Sequence, residues 1–279
     1  MGKKKKKKRV IRDKHYLYTA AVQSVDADLR FVQRVYKKAR GRRLLRMRED
    51  FCGTAVLACE WVRRRRDHEA WGVDLDRKTL DWGDARYGKA LGAARERLHL
   101  LCQDVRSVHE PPVDLVVAQN FSYSVFKTRA DLGGYFRQVR RSMAPGGIFV
   151  LDAWGGTETM GEDLERRKID GETAFDGTRL PSFNYIWEQK RFNPIDHHIL
   201  CYIHFKLKDG TRINRAFTYD WRLWTLPELQ ELMIEAGFAT THVYLEGWDE
   251  EEDDTDGIFR RRTYFENQEG WVAYVVALA

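Results

Sequence analysis

The sequence predicts an α/β protein with a doubly wound, mostly parallel sheet into which an antiparallel β segment is inserted. Two observations predict it. Over residues 44–151, short apolar runs of strand length alternate with segments of helical period, the rhythm of parallel strands joined by right-handed crossovers. Over residues 183–221 that rhythm gives way to longer alternating runs joined by turn signals, the mark of antiparallel strands.

Residues 1–12 read as a disordered tail. Lys3 to Lys8 supply six of the 48 basic residues, and the 42 that remain equal the 42 acidic ones. The body is therefore neutral, and the tail is expected to be a solvated like-charge block rather than a nucleic-acid anchor. Ala21, Val25, Leu29, Val32, Val35 and Tyr36 recur at helical spacing. They predict one helix from Tyr16 to about Ala39, stopped by Gly41, within an N-terminal helical cap over 13–43.

The next part, 44–153, is expected to hold strands at Leu44–Met47, Ala70–Val73, His99–Cys102, Val113–Ala118 and Ile148–Leu151. Helices lie between them, from Gly53-Thr54 to about Arg65, over Arg77–Gly88 and over Leu132–Met143, the last stopped by Pro145-Gly146-Gly147. Val113–Ala118 (VDLVVA) is almost wholly apolar, as a strand covered on both faces should be. Arg46 and Arg48 are unexpected in such a strand and call for a partner in Glu49, Asp50 or another carboxylate.

The insertion, 154–225, holds strands at Phe183–Phe192, Ile199–Leu207 and Ile213–Trp221, with turns at Asn193-Pro194 and Asp209-Gly210. In the middle strand Ile199, Cys201, Ile203, Phe205 and Leu207 share one face, and Leu200, Tyr202, His204 and Lys206 the other. A last part, 226–279, is expected to hold a helix over Pro227–Ala236, stopped by Gly237, and strands at Thr241–Leu245 and Trp271–Leu278. The acidic run Asp249–Asp256 between those strands is expected to be a solvent loop, because it lacks the ligand spacing and turn glycine of an EF-hand. No apolar run reaches the length of a membrane span, and none follows the N-terminal lysines as a secretory signal requires. Cys52, Cys59, Cys102 and Cys201 show neither a disulfide framework nor a zinc spacing, so a reduced, cytoplasmic setting without a metal is expected.

The segment Glu49-Asp50-Phe51-Cys52-Gly53-Thr54-Ala55 lies at a strand end and opens a helix. Gly53 lets the backbone approach a ligand, and the first amides of the helix favour an anionic group. Asp74 follows Gly53 at roughly the 20-residue interval at which a strand-end carboxylate takes ribose hydroxyls; a simple strand-end cap is the alternative.

This segment resembles motif I of the class I S-adenosylmethionine-dependent methyltransferases, acidic-x-Gly-x-Gly-x-Gly. Glu49 stands at the acidic position and Gly53 at the second glycine, while Phe51 and Ala55 replace the other two. Gly72-Val73-Asp74-Leu75-Asp76 resembles the second motif, with Asp74 on the ribose and Leu75 beside adenine. Gln103-Asp104-Val105 resembles the third, with Asp104 near the adenine amine. Ala118 to Ser124 (AQNFSYS), with Gln119 and Asn120, sits where the family lines the methyl-transfer centre. The resemblance covers residues 44–153 and 226–279 and implies seven strands with the last antiparallel. It implies S-adenosyl-L-methionine as cofactor, held by Glu49, Phe51, Gly53, Thr54, Asp74, Leu75, Asp104, Val105, Gln119 and Asn120. A nicotinamide-binding Rossmann domain competes for the glycine turn but calls for a fuller Gly-x-Gly-x-x-Gly.

The insertion is similar in place to the antiparallel flap of small-molecule N-methyltransferases, which implies a small-molecule acceptor, most readily an amine. Trp154, Trp187, Tyr202, Tyr219 and Trp221 are expected to face it, with Tyr16 and Tyr18 of the cap, unless they form the flap's own core. Tyr123 and His204 are the expected acid/base groups, with His197 and His198 as further candidates. An RNA or protein methyltransferase that uses the lysine tail, and a non-catalytic cofactor-binding subunit, are the competing readings.

Overall fold

The computed structural model describes residues 12–108, 111–249 and 254–279. Lys3 to Lys8 therefore lie outside the described residues. Two helices, α1 (Lys14–Val22) and α2 (Val25–Arg40), precede the first strand. The single cap helix expected from the apolar spacing is broken at Gln23-Ser24. Asp13 caps α1 by accepting from the His15 N–H, and α1 ends on extended Gln23. Helix α2 then starts afresh, with Asp26 and Asp28 in its first turn, where exposed amides favour carboxylates. Gly41 ends it in the left-handed conformation.

The chain continues through β1 (Arg46–Asp50), α3 (Val56–Arg64), β2 (Glu69–Asp74), α4 (Arg77–Gly83), β3 (Leu98–Cys102), β4 (Val113–Ala118), α5 (Arg129–Ser142) and β5 (Met143–Gly155). These five strands pair in parallel, in the order β3-β2-β1-β4-β5. Helix α5 ends at Ser142, so Pro145-Gly146-Gly147 falls inside β5 rather than stopping the helix. A second sheet follows, β6 (Asp163–Ile169), β7 (Phe183–Phe192), β8 (His198–Leu207) and β9 (Arg212–Arg222), antiparallel throughout. After α6 (Leu226–Glu235) come β10 (Thr240–Asp249), β11 (Asp254–Arg262) and β12 (Trp271–Leu278). Strand β12 inserts between β5 and β10, antiparallel to both.

The main sheet thus has eight strands, not the expected seven, because β11 adds an antiparallel edge to β10. The acidic run is consequently not one loop: its first residue ends β10 and residues 254–256 open β11, while residues 250–253 lie outside the described residues. Among the described residues no helix is long and apolar enough to cross a membrane.

Strand alternation sorts the interior into two layers. Met47, Leu115, Val117, Ile148, Val150 and Val276 meet α2 and α3; Val73, Val116, Leu151, Val275 and Ala277 meet α5 and α6. The same alternation decides which layer each polar side chain at the strand ends faces. Arg48 and Asp50 face α5. Arg48 is 1% exposed and grips Asp50 with two bonds (2.8 and 3.1 Å), while its Nη1 donates to Ser142 Oγ (2.7 Å) and Tyr135 donates to Asp50 (2.9 Å). Arg46 is exposed and pairs with Glu69.

Candidate active site

The order of the strands reverses beside β1, where ligands of open α/β sheets settle beyond the carboxyl ends. The turn after β1 carries Phe51, Gly53 and Ala55 with φ of 57°, 54° and 56°. The positions where motif I has glycine are thus left-handed here too, and Phe51 and Ala55 hold that conformation at a cost of roughly 1–2 kcal/mol each. The Phe51 ring offsets part of that by packing edge-on to Tyr135 (5.5 Å). Two glycines in other elements seat the turn. A Cβ at Gly72 would meet Cys52 and Ala55 at 3.1–3.2 Å, and one at Gly83 would meet the Thr54 carbonyl oxygen at 2.2 Å. Sequence reading missed Gly83, since nothing local marks it.

Ala55 has no capping oxygen for α3. Glu49, buried beneath the turn, supplies one by accepting from the Ala58 N–H (2.9 Å), and burial drives its carboxyl up to about 8. The two amides before Ala58 have no partner within the helix and open toward the turn. Asp74 accepts from the Gly53 N–H and the Asp76 N–H, both at 2.8 Å, which ties the turn to β2 and leaves lone pairs on each oxygen. Leu75 beside it is 70% exposed, an apolar surface at the mouth of the site. A Cβ at Gly53 would meet Thr79 alone within 4 Å, at 3.9 Å, so the space above the turn is open. These features fit S-adenosylmethionine, with a carboxylate for the ribose, an apolar plate for adenine and helix amides for the methionine carboxylate. Asp104 departs from expectation. It caps the short turn at Val105–Ser107 and its carboxylate is taken by Arg106 (2.7 Å), while Val105 is buried against the α5 layer.

Beyond β4 two consecutive non-glycine residues, Asn120 and Phe121, have φ of 59° and 57°. Their N–H groups converge on the Asp152 carboxylate of β5, at 2.7 and 2.9 Å, which holds this strained turn in place. Burial raises the Asp152 carboxyl to about 7, with a further contribution from Asp28. Asp28 of α2 accepts from Tyr274 of β12, the cross-strand neighbour of Asp152, and burial lifts it to about 6. Gln119, 7% exposed, has an amide nitrogen with no hydrogen-bond partner among the described residues. Asp28, Asp152 and Tyr274 carry no signal in the sequence; the fold alone brings them together.

The inner face of the second sheet stands over this end. Tyr219 stacks on Trp221 (4.1 Å) and lies near Trp187 (5.9 Å); Trp154 packs on Phe121 (4.6 Å) and faces Trp221 (6.0 Å). From the cap, the Tyr18 hydroxyl pairs with that of Tyr219. Other expected residues are elsewhere. Tyr202 and His204 lie on the opposite face of β8, the face their alternation already indicated. His204 accepts from the Arg215 N–H at Nδ1 (3.1 Å) and donates from Nε2 to Glu188 (3.0 Å), so both ring nitrogens are occupied. Tyr202 covers the Arg215 guanidinium (4.5 Å). Tyr16 packs on Trp82 of α4 (4.8 Å) and donates to Asp176 (2.5 Å). Tyr123 is 1% exposed, and burial pushes its hydroxyl well above the ordinary tyrosine range, so it stays protonated at neutral pH. His197 and His198 sit at the β7–β8 turn, far along the strand from His204.

Residues 50–151 match the family described as a methyltransferase domain, from the turn at the end of β1 into β5. No curated protein matches the chain in sequence. Among solved structures, the chain resembles S-adenosylmethionine-bound CalS10, an amino pentose methyltransferase from Micromonospora echinaspora, at 14% identity and a TM-score of 0.66, over 99% of this chain and 100% of that one. It resembles an S-adenosylmethionine-dependent methyltransferase from Clostridium acetobutylicum at 17% identity and a TM-score of 0.63, over 95% and 97%. It also resembles the sugar N-methyltransferase KedS8 from a Streptoalloteichus species, at 16% identity and a TM-score of 0.60, over 100% and 97%. At such identities these likenesses are of fold. Residues 50–151 thus carry a methyltransferase domain, and the structure forms within them the turn at which Gly53 and Asp74 meet.

Proposed function

We propose that the enzyme methylates the nitrogen of a small-molecule amine. The observation that carries this reading is the wall of the cleft over β4 and β5. Trp154, Trp187, Tyr219 and Trp221 form one connected aromatic wall, and its Trp154 packs on Phe121, whose N–H, with that of Asn120, meets the buried carboxyl of Asp152 in the negative field of Asp28. Aromatic faces and a buried carboxylate together suit a cation, and an amine becomes one on methylation. Two proteins of the same fold, CalS10 and KedS8, are described as amino pentose and sugar N-methyltransferases, which supports a small nitrogen acceptor.

S-adenosylmethionine supplies a methyl carbon on a sulfonium, which a neutral nitrogen displaces while the electron pair of the broken bond stays on sulfur. The chain's own task is alignment and the exclusion of water. In this reading Gly53, Thr54 and Phe51 shape the cofactor turn, Glu49 braces it from below, Asp74 holds the ribose and Leu75 flanks adenine. Gln119 and Asn120 border the reacting centre. The aromatic face of the flap and Tyr18 close over the acceptor. Asp152, with its carboxyl raised to about 7, is suited to take the proton the amine gives up near neutral pH.

The test is to incubate the full chain with methyl-labelled S-adenosylmethionine and fractionated cell extract. Label is expected in small molecules that bind a cation exchanger. Label confined to the RNA or protein fraction would overturn the reading.

A further inference from the structure

Four adjacent strands bring polar side chains to one layer of the sheet. In spatial order they are Tyr274 on β12, Asp152 on β5, Gln119 following β4 and Glu49 on β1. Each continues an alternation whose inner members are apolar and face α2 and α3, namely Val276, Ile148 and Val150, Leu115 and Val117, and Met47. Tyr274, Asp152, Gln119 and Glu49 are all at least nine-tenths buried. Helix α2 closes this row from above and contributes Asp28, which is partly exposed and receives the Tyr274 hydroxyl.

Such a row is unbalanced as it stands. A buried polar group without a partner costs about 1–3 kcal/mol, and buried carboxyls normally find a cation. Here Asp28 adds its negative field to both Glu49 and Asp152, and the Gln119 amide nitrogen has no partner among the described residues. The contrast with the opposite layer is sharp, where Arg48, Asp50, Tyr135 and Ser142 satisfy one another with no ligand.

We propose that Asp28, Asp152 and Gln119 form a receptor for the ammonium group of the acceptor, with Tyr274 as the residue that orients Asp28. The proposal rests on the amine reading above and adds the residues that select the amine. An R–NH3+ group has three donors. Asp28 and the Gln119 amide oxygen can hold two, and Asp152 accepts the third and takes that proton, which leaves nitrogen the lone pair that attacks the methyl carbon. The place favours the acceptor over the cofactor. Asp152 and Tyr274 lie on β5 and β12, on the side of β4 away from Asp74, and the second sheet leaves the fold from the end of β5. The field of Asp152 also reaches Tyr18, whose hydroxyl pairs with Tyr219 of the aromatic wall, so the polar row and that wall border one space. A hydroxyl in place of the ammonium would leave both carboxylates without a countercharge, which gives selection for amines over alcohols.

The test uses the full chain saturated with S-adenosylhomocysteine, and calorimetry with cyclohexylammonium chloride against cyclohexanol as probes. The wild type is expected to prefer the ammonium. Asp28→Asn, which keeps the shape and a bond to Tyr274, is expected to weaken the ammonium by about tenfold or more and leave the alcohol and S-adenosylhomocysteine unchanged. Tyr274→Phe carries the same test should Asp28→Asn fail to fold; it is expected to weaken the ammonium about threefold or more, again sparing the alcohol. A preference for ammonium that survives both substitutions would overturn the receptor and leave the amine reading standing. A wild type that binds both probes alike would sink the amine reading and the receptor with it. Loss of S-adenosylhomocysteine binding in Asp28→Asn would assign Asp28 to the cofactor instead and overturn the proposal.

Discussion

Replacing Asp74 by Asn tests the cofactor site at its most exposed joint. The Asp74 carboxylate accepts the Gly53 N–H at one oxygen and the Asp76 N–H at the other, each at 2.8 Å. Its remaining lone pairs are the ones that the proposed cofactor site would offer to the ribose hydroxyls. An Asn side chain keeps one oxygen and turns an N–H2 toward either Gly53 or Asp76, donor against donor. Hydrogen bonds to a charged group contribute about 1.5–3 kcal/mol each. Loss of one ribose bond and of the charge then weakens S-adenosylhomocysteine by roughly 10- to 150-fold, at 1.4 kcal/mol per factor of ten. The assay is titration calorimetry on wild type and variant, repeated with an analogue that lacks both ribose hydroxyls. The wild type should bind the analogue about as weakly as the variant binds the natural ligand, and the variant should lose little further, because both changes remove the same contact. Affinity for the natural ligand within threefold of wild type, in a variant that melts normally, would refute the assignment of Asp74 to the ribose.

Gly83→Ala places a Cβ 2.2 Å from the Thr54 carbonyl oxygen, a backbone atom that cannot step aside. A loss of about 1–3 kcal/mol in stability is expected, with cofactor binding weakened through the displaced turn; denaturant unfolding and calorimetry check both, and unaltered values would show that the turn yields freely. Asp152→Asn should change how stability depends on pH. Burial raises the folded carboxyl to about 7 from 3.8, so the folded chain keeps a proton that the unfolded chain has released in between. Its contribution is present below about pH 4 and is lost as pH rises through about 7, at up to roughly 1.4 kcal/mol per unit. The variant lacks this slope, so its stability relative to wild type, measured without cofactor, should improve from pH 4 to 7; a constant difference would count against a buried carboxyl there.

The inner strands of the main sheet were legible because they are covered on both faces. Val113–Ala118 and Trp271–Leu278 read directly as runs, and their limits match the structure. The strands that escaped notice lie at sheet edges. Asp163–Ile169 is exposed along nearly its whole length and Asp254–Arg262 is rich in charge, as edges that must not pair with another chain tend to be. Such a strand has no apolar face to announce it. The cap was misread as one helix because the apolar stripe runs on across Gln23-Ser24, where only the extended backbone marks the break. At the turn after β1, the meeting of Gly53 and Asp74 was readable from local spacing. His204 was misplaced by its residue type, although its alternation with Ile203 and Phe205 already put it on the far face of β8.

The two layers of the main sheet treat buried charge in opposite ways, and the difference follows from what each must hold. Toward α5, Arg48 brings its own carboxylate, Asp50, two residues along the same strand and therefore on the same face. Tyr135 and Ser142 take up the bonds that remain, so the network is complete within the chain. Removing one member of such a pair costs more than the pair contributes, which suits a rigid floor beneath Phe51 and the cofactor turn. Toward α2, Asp28 and Asp152 share no such partner, and their carboxyls are lifted to about 6 and about 7. A cation-binding site must carry this imbalance in the free protein, because a built-in arginine would occupy the place of the ligand. The raised carboxyls are then the cost of readiness: without a countercharge they hold their protons to higher pH than free carboxyls do, and an ammonium would draw them toward the ionised form. The strain of Asn120 and Phe121, held by Asp152, ties that change of charge to the turn that borders the reacting centre.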